Sequence, residues 1–494
     1  MTELHVVDGY DEVPDEVLFS GAPDDGDDWT EPTDEPTLPD SFDEAHAAES
    51  LATYLHPDWL YVAATNRWMH WNGTRWAADR TEQVYEVARR WAIDLVTVVA
   101  RVGASSDDVK RAARYRDRYK LESVLTMARR IDGMAATPDE FDRHPDLLNV
   151  TNGVVDLRTG EVRPHDPLLR LSKLAPVDYR PDAYHADVGE LLRVVDAAVL
   201  PWLKRLIGYA ATGHTSEDVV AVYDGSGANG KTTLLEALGE VLGDYAGPVS
   251  PQLVMRTTHD QHPTIKADLQ GQRLVWISET EEGGAFRMEQ VKALTGGDKI
   301  SARVMRGDFY TFTPTHTLVI ATNHRPAVNS TEHAAWRRLR LVPFPFTYKA
   351  EHEAEPGDRV QDRGLRHRLT TGQAQRETLL AWVVAGAIEW NRDGLGTCPA
   401  IDTASRDWRR AEDVILRFSD ECLDFGLGHS AKGRELYVTY CDWCAAEGRK
   451  AKSNKNFAAE FLDHEAVKAA EVERTTPQGS TVYRGVSVRG SAQF

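Results

Sequence analysis

The sequence predicts a multidomain chain. An α/β core with a mostly parallel sheet and a phosphate-binding loop (P-loop) follows a mainly helical accessory domain and precedes a winged-helix-like module. Three observations carry this reading. The stretch VVAVYDGSGANGKTT sets an apolar strand before a glycine-rich loop and the start of a helix. From about residue 200 to 350, apolar strands alternate with loops and helical segments, as in a parallel sheet. From Gly433 the chain reads helix, helix, helix and then hairpin, an order that suits a winged helix.

At 494 residues the chain exceeds one hydrophobic core, and 41% apolar with 27% charged residues is ordinary for a soluble protein. No apolar run is long enough to span a bilayer, and MTELHVVDGYDEVPDE lacks the basic start and apolar core of a secretory signal. Four cysteines (Cys398, Cys422, Cys441 and Cys444) are too few for a disulfide framework, which points to a reducing, cytoplasmic setting, and without a spanning run no membrane partner is expected. The net charge of −20 is unevenly placed, with no Lys or Arg before Arg67 and dense acids from Asp8 to Glu44. Residues 1–45 therefore read as an acidic lead that is disordered or orders only with a partner, and the bulk charge does not exclude nucleic acid elsewhere.

Residues 46–199 read as the accessory domain. It opens with a helix, then aromatic strands joined at Asn72-Gly73, a long helical region from about Glu82 to Asp132, and two short strands around Asn152-Gly153 and Thr159-Gly160. Residues 200–350 form the α/β core, 351–402 a helical lid or linker, and 403–494 the C-terminal module. His56, Asp58, Asp79 and Asp94 are scattered over mixed elements and read as ordinary.

The loop matches G-x-x-x-x-G-K-[ST], with Gly225, Ser226, Gly227, Ala228, Asn229, Gly230, Lys231, Thr232 and Thr233 as the binding stretch. Glycines let backbone amides turn toward phosphate oxygens, Lys231 reaches the outer phosphates, Thr232 ligates Mg²⁺, and the helix start faces the anion. ATP with Mg²⁺ is the expected occupant. WISETEEG then delivers Glu279 and Glu281 at a strand end, with Glu279 expected on the metal side and Glu281 as the next candidate to activate water. HTLVIATNHRP sets Asn323 at another strand end, where an amide orients water or senses phosphate. WRRLRLVPFPF places Arg337 and Arg338 before a strand as candidate fingers for a neighbour's nucleotide. KISARVMRGDFYTF reads as a hairpin carrying Lys299, Arg303 and Arg306 toward single-stranded DNA, and Lys450, Lys452 and Lys455 precede the third C-terminal helix as duplex contacts. Cys441-x-x-Cys444 lacks a second pair for zinc and reads as core or partly exposed thiols.

GSGANGKTT, WISETEEG, KALTGGDKISAR, FTPTHTLVIATNHRP and WRRLRLVPFPF, in this order, resemble the superfamily 3 helicases of viruses, phages and mobile elements, and within them the D5-like, phage/plasmid primase–helicase family. LLNVTNGVVDLRTGEV and WNGTRW look like the family's helical domain before the motor. The resemblance implies an AAA+-like core, a homohexameric ring, ATP hydrolysis that drives unwinding, single-stranded and forked DNA as partners, and a role in replication, in the host cytoplasm if phage-encoded. It places Lys231 and Thr232 on the phosphate loop, Glu279 and its neighbours on the acidic motif, Asn323 on the sensor, Arg337 or Arg338 on the finger, and Arg306 near the hairpin tip. Before residue 200 there is neither a zinc-ligand cluster nor a paired-carboxylate polymerising site. Primer synthesis is therefore not expected of this chain, and a separate primase or polymerase is an expected partner. Two rival readings are a DNA-stimulated loader or packaging ATPase without unwinding, and a nucleotide-gated origin-binding scaffold.

Overall fold

The computed structural model describes residues 35–256, 263–278, 283–303, 309–328, 333–356 and 358–490. The chain divides into two units: residues up to Phe141 with Asp166–Ser172, and Asp142–His165 with Lys173 onward.

In the first unit, α1 (Glu44–Leu55) starts at Asp43, whose carboxylate accepts from the Ala45 and His46 amides. Strands β1 (Trp59–Val62), β2 (Arg67–Trp71) and β3 (Trp76–Ala78) follow. The expected aromatic hairpin is β2–β3, with Trp71 opposite Trp76. The long helical region is three helices, α2 (Gln83–Arg101), α3 (Ser106–Ala113) and α4 (Arg118–Ala128). Its breaks have local causes. Gly103 adopts a φ of +74° just past α2, and Ser105 and Asp117 cap α3 and α4 by accepting from the Asp108 and Tyr119 amides. Leu51, Trp91, Leu95 and Val124 form the core between the helices. Strand β4 (Ala135–Ala136) runs parallel to β1 at the sheet edge.

The second unit opens with an antiparallel sheet, β5 (Leu147–Val150), β6 (Gly153–Asp156) and β7 (Val162–Arg163), one strand more than expected. Next come α5 (Ala186–Leu192), α6 (Leu200–Ala211), β8 (Val220–Asp224), α7 (Lys231–Leu242), β9 (Ala246–Pro248), β10 (Leu274–Ser278) and α8 (Met288–Thr295). A hairpin, β11 (Ile300–Arg303) with β12 (Phe309–Phe312), precedes β13 (Thr317–Thr322), α9 (His333–Trp336) and β14 (Leu339–Pro343). The central sheet has the order β14-β8-β13-β10-β9, with every neighbouring pair parallel.

Side chains of this sheet alternate between two buried faces, as strands covered on both sides require. Ala221, Tyr223, Trp276 and Val319 enter one core, and Val220, Val222, Ile277 and Ile320 the other. The first core also takes Leu148, Val150, Val155 and Leu157, so the β5–β6 hairpin packs as part of the sheet unit. The strand order brings the ends of β8 and β13 side by side, while the connection from β13 to β14 crosses to the far side of β8. In open parallel sheets, such a reversal of direction leaves a crevice at the carboxyl ends of the strands.

Past β14 lie a short parallel pair, β15 (Tyr348–Lys349) and β16 (Arg359–Val360), then α10 (Leu365–Thr371) and α11 (Gln373–Asp393). Helices α6 and α11 cross at glycines: a Cβ on Gly208 would lie 2.0 Å from Ala387 N, and one on Gly386 2.2 Å from Lys204 O. Helix α12 (Pro399–Glu412) spans the expected 402/403 boundary, and its Trp408 meets Phe286 and Trp336 beside the sheet. The remainder is α13 (Val414–Cys422), β17 (Leu423–Lys432), α14 (Gly433–Ala446), α15 (Asn454–Asp463), α16 (Glu465–Ala469), β18 (Glu473–Thr475) and β19 (Val482–Val488). Three helices and a closing hairpin were expected here, whereas β17 was not. It pairs with β19 to complete an antiparallel sheet of order β17-β19-β18. Phe418, Tyr440, Trp443, Phe457 and Phe461 form a separate core there. Cys444 is buried and Cys441 half-buried, and among the described residues no cluster of three His, Cys, Asp or Glu is placed to hold a metal. No described helix is long and apolar enough to cross a membrane.

Candidate active site

The glycine-rich loop leaves the carboxyl end of β8 and enters α7 at Lys231. Positive φ values at Gly227 (106°), Ala228 (48°) and Gly230 (81°) curl the backbone into the kind of concavity that receives anions. Two glycines are fixed by crowding. A Cβ on Gly225 would sit 2.1 Å from Asn229 Nδ2 and 2.7 Å from Phe344 O, and one on Gly230 would sit 2.4 Å from Val194 Cγ1. Neighbouring strands brace the loop, because Phe344 N donates to Asp224 O and Tyr348 N to Ala228 O, each at 2.8 Å.

Lys231 is 5% exposed, so its ammonium is almost wholly withdrawn from water. Its Nζ donates to Gly225 O at 2.7 Å and to Asn323 Oδ1 at 3.0 Å. Both acceptors are neutral. Burial pulls the lysine down to about 8, against the opposing influence of the Asp224 carboxylate. Asn323 follows β13, whose Ala321 and Thr322 pair with Tyr223 and Asp224 of β8, and this register brings the amide to the lysine. Asn229 is also buried, and its Nδ2 has no hydrogen-bond partner among the described residues. A curled loop at an open helix start, a buried cation on neutral acceptors and an unsatisfied buried amide together suit a polyanionic ligand. Ser226 and Thr232 are exposed and Thr233 half-buried, so the Thr232 hydroxyl stands open in the first turn of α7.

The sheet separates the other candidates. Arg337 and Arg338 precede β14, and Arg338 O accepts from Val220 N at the amino end of β8, opposite the loop. Arg338 is buried, with Nε donating to Thr295 Oγ1 at 3.2 Å and Nη2 3.4 Å from Asp218 Oδ2. Arg337 is exposed and lies 3.6 Å from the same carboxylate. On the hairpin, Ile300, Ala302 and Phe312 are buried, while Ser301, Arg303 and Thr311 face solvent. Lys299 is exposed just before β11, and the Arg303 guanidinium lies 5.4 Å from the centroid of the Phe309 ring. Lys450, Lys452 and Lys455 are all exposed, and Lys452 pairs with Glu460 at 2.5 Å. Glu279, Glu281 and Arg306 lie outside the described residues.

One pair at the loop escaped the sequence reading. Arg325, two residues past Asn323, donates from Nε and Nη2 to Asp224 Oδ2 at 3.0 and 2.8 Å. The only local sign is that HRP follows Asn323 directly, which puts a second cation at the same strand end.

Residues 48–199 match the family described as D5 N terminal like, and residues 223–338 match a family of unknown function, DUF5906. "Putative helicase L207/L206" of Acanthamoeba polyphaga mimivirus is 28% identical over 322 residues, covering 61% of this chain and 33% of that protein. "Putative primase C962R" of African swine fever virus (strain Badajoz 1971 Vero-adapted) is 22% identical over 328 residues, covering 62% and 34%. "Putative helicase 022R" of Frog virus 3 (isolate Goorha) is 22% identical over 387 residues, covering 62% and 39%. The chain thus spans between 33% and 39% of the length of these relatives. Among solved structures, "The A form apo structure of NrS-1 C terminal region-CTR(305-718)" superposes with a TM-score of 0.49 at 10% identity, covering 90% of this chain and 100% of that one. Two family models matched in order and large DNA-virus proteins aligned to the chain support a D5-like primase–helicase family.

Proposed function

We propose that the chain is an ATP-dependent DNA helicase of phage or mobile-element replication that moves along single-stranded DNA as a ring. The observation that carries this reading is the meeting of Lys231 and Asn323 over the curled loop, at the point where the strand order reverses. On this reading the second unit holds an AAA+-like P-loop core, and its C-terminal part is a winged-helix-like module. Loop amides and Lys231 hold the triphosphate, and Asn323 exchanges its bond to Lys231 for one to the outer phosphate or the attacking water. Thr232 and Glu279 would hold Mg²⁺, which would supply charge neutralisation for the transferring phosphoryl group, and Glu281 is the next candidate to activate the attacking water. Arg337, exposed at the far end of the sheet, is the finger for a neighbouring copy, while buried Arg338 holds the strand start in place. Lys299, Arg303 and Arg306 grip the strand, and Lys450, Lys452 and Lys455 meet the duplex ahead of it.

ATP turnover measured with and without single-stranded DNA, beside Lys231→Ala, tests this. The expected result is DNA-stimulated turnover, abolished in the variant, with separation of a forked duplex. Stimulated turnover without strand separation would instead favour a loader or packaging ATPase. An assembled oligomer without turnover would favour a nucleotide-gated scaffold.

A further inference from the structure

The chain is acidic overall, yet KRAARYRDRYK, from Lys110 to Lys120, carries six Lys or Arg against the single acid Asp117. This stretch forms the end of α3, the 3₁₀ turn Arg114–Arg116 and the start of α4. The turn is anchored from beneath. Tyr115 is 3% exposed, its hydroxyl donates to Phe42 O at 2.8 Å, and its ring lies 5.8 Å from that of Trp91, centroid to centroid. With Tyr115 committed to the core, Arg114 and Arg116 on either side of it are both exposed.

Four of the six cations answer to acids. Lys110 pairs with Asp107 at 3.2 Å, Arg111 with Asp108 at 3.7 Å, Arg118 with Glu122 at 2.8 Å and Lys120 with Glu44 at 2.5 Å. Exposed pairs of this kind contribute little and exchange readily for another anion. Arg114 and Arg116 form no ion pair among the described residues. Beside them Tyr119 is 76% exposed, and the Arg118 guanidinium lies 5.9 Å from its ring centroid. A large ring left in water among cations is how proteins offer a stacking face to an unpaired base.

We propose that this surface of the first unit binds single-stranded DNA, with Arg114 and Arg116 on successive phosphates and Tyr119 stacked on one base. The arginines alone would suit any polyanion. Tyr119 selects a single strand, because the base faces of a duplex are already stacked. The interaction needs neither nucleotide nor turnover, so it stands apart from the hydrolytic site.

The test is fluorescence anisotropy of a labelled oligothymidylate of about thirty nucleotides with the full chain, without nucleotide, across about 50 to 300 mM salt. Arg114→Glu with Arg116→Glu is expected to weaken binding about tenfold or more and to lower the slope of log K against log salt by about 1.4, the loss of two single-strand phosphate contacts. Arg114→Gln with Arg116→Gln lowers the slope equally and guards against misfolding caused by charge reversal. Tyr119→Ala is expected to cost about 5- to 150-fold without changing the slope, and Tyr119→Phe to restore binding. Repeating the series in Lys231→Ala separates this inference from the helicase reading, since lost turnover leaves this binding intact. Unchanged affinity and slope in folded arginine variants would overturn the proposal. So would a Tyr119→Ala loss that is equal for duplex and single strand.

Discussion

Lys231 is a buried ammonium whose two hydrogen-bond acceptors are a peptide carbonyl and a side-chain amide. With burial holding it at about 8, it gives up its proton in mildly alkaline solution while the chain is free of ligand. On the proposed function a bound triphosphate would restore the charge, so binding above pH 8 would take up a proton. Nucleotide affinity is therefore expected to fall steadily as pH rises through and beyond about 8. Calorimetry in buffers of different ionisation enthalpy would measure the uptake, and a flat affinity profile to pH 10 would contradict it. The stability sign runs the other way from that of a salt-bridged lysine. Below pH 8 the folded chain carries a charge that burial disfavours, and this cost is relieved as pH climbs toward the ordinary lysine range. The place of Lys231 at the junction of loop and helix was legible because the loop motif is local and context-bound. The Asp224–Arg325 pair was not, because 101 residues separate its members and only the strand register joins them.

Helix ends were readable where a capping residue announces them, and Ser105 and Asp117 could have divided the long helical reading before any coordinates. Strand β17 gave no such sign. Its Gly426 and Gly428 have φ of +155° and +88°, and its register shifts between Phe425 and Ser430, so no alternating pattern survives. The α6–α11 crossing belongs to this scale too. At Gly208 the obstructing atoms are the Ala387 and Gly386 backbone, which cannot rotate aside. Gly208→Ala is expected to destabilise the second unit by about 1–3 kcal/mol or more, despite the better helix propensity of alanine. Gly189→Ala, on α5 with nothing within 4 Å of the added carbon, is expected to be neutral or to stabilise by up to about 1 kcal/mol. In urea denaturation the midpoint should fall for Gly208→Ala and stay level or rise for Gly189→Ala. If both behave alike, the crossing is not as tight as drawn.

For the whole molecule, the sheet decides what one chain can do alone. The loop leaves the carboxyl end of β8 and Arg337 enters from the amino end of its neighbour β14, about 17 Å apart by strand rise. Arg337 therefore does not serve its own loop, and a trans role follows from the proposed function. Arg337→Ala and Lys231→Ala chains should each lack turnover. Mixed in equal amounts they should recover about a quarter of wild-type activity if subunits exchange freely, because only interfaces pairing an intact lysine with an intact arginine work. No recovery in exchanged mixtures would remove Arg337 from the site. Sequence order concealed other parts of the architecture. Nothing in LLNVTNGVVDL told that Leu148, Val150 and Val155 complete the core of a sheet whose first strand begins at Val220.

The same opposition of loop and arginine gives the chain a direction. On the proposed function each copy would have a receiving end and a supplying end, as an arrow has a nock and a point, and any contact that joined the two would lay every copy the same way round. Such an array has a front and a back before it meets a substrate. On that reading a strand threaded through it would encounter different chemistry on entering than on leaving, so any travel along DNA would take its sense from the assembly itself.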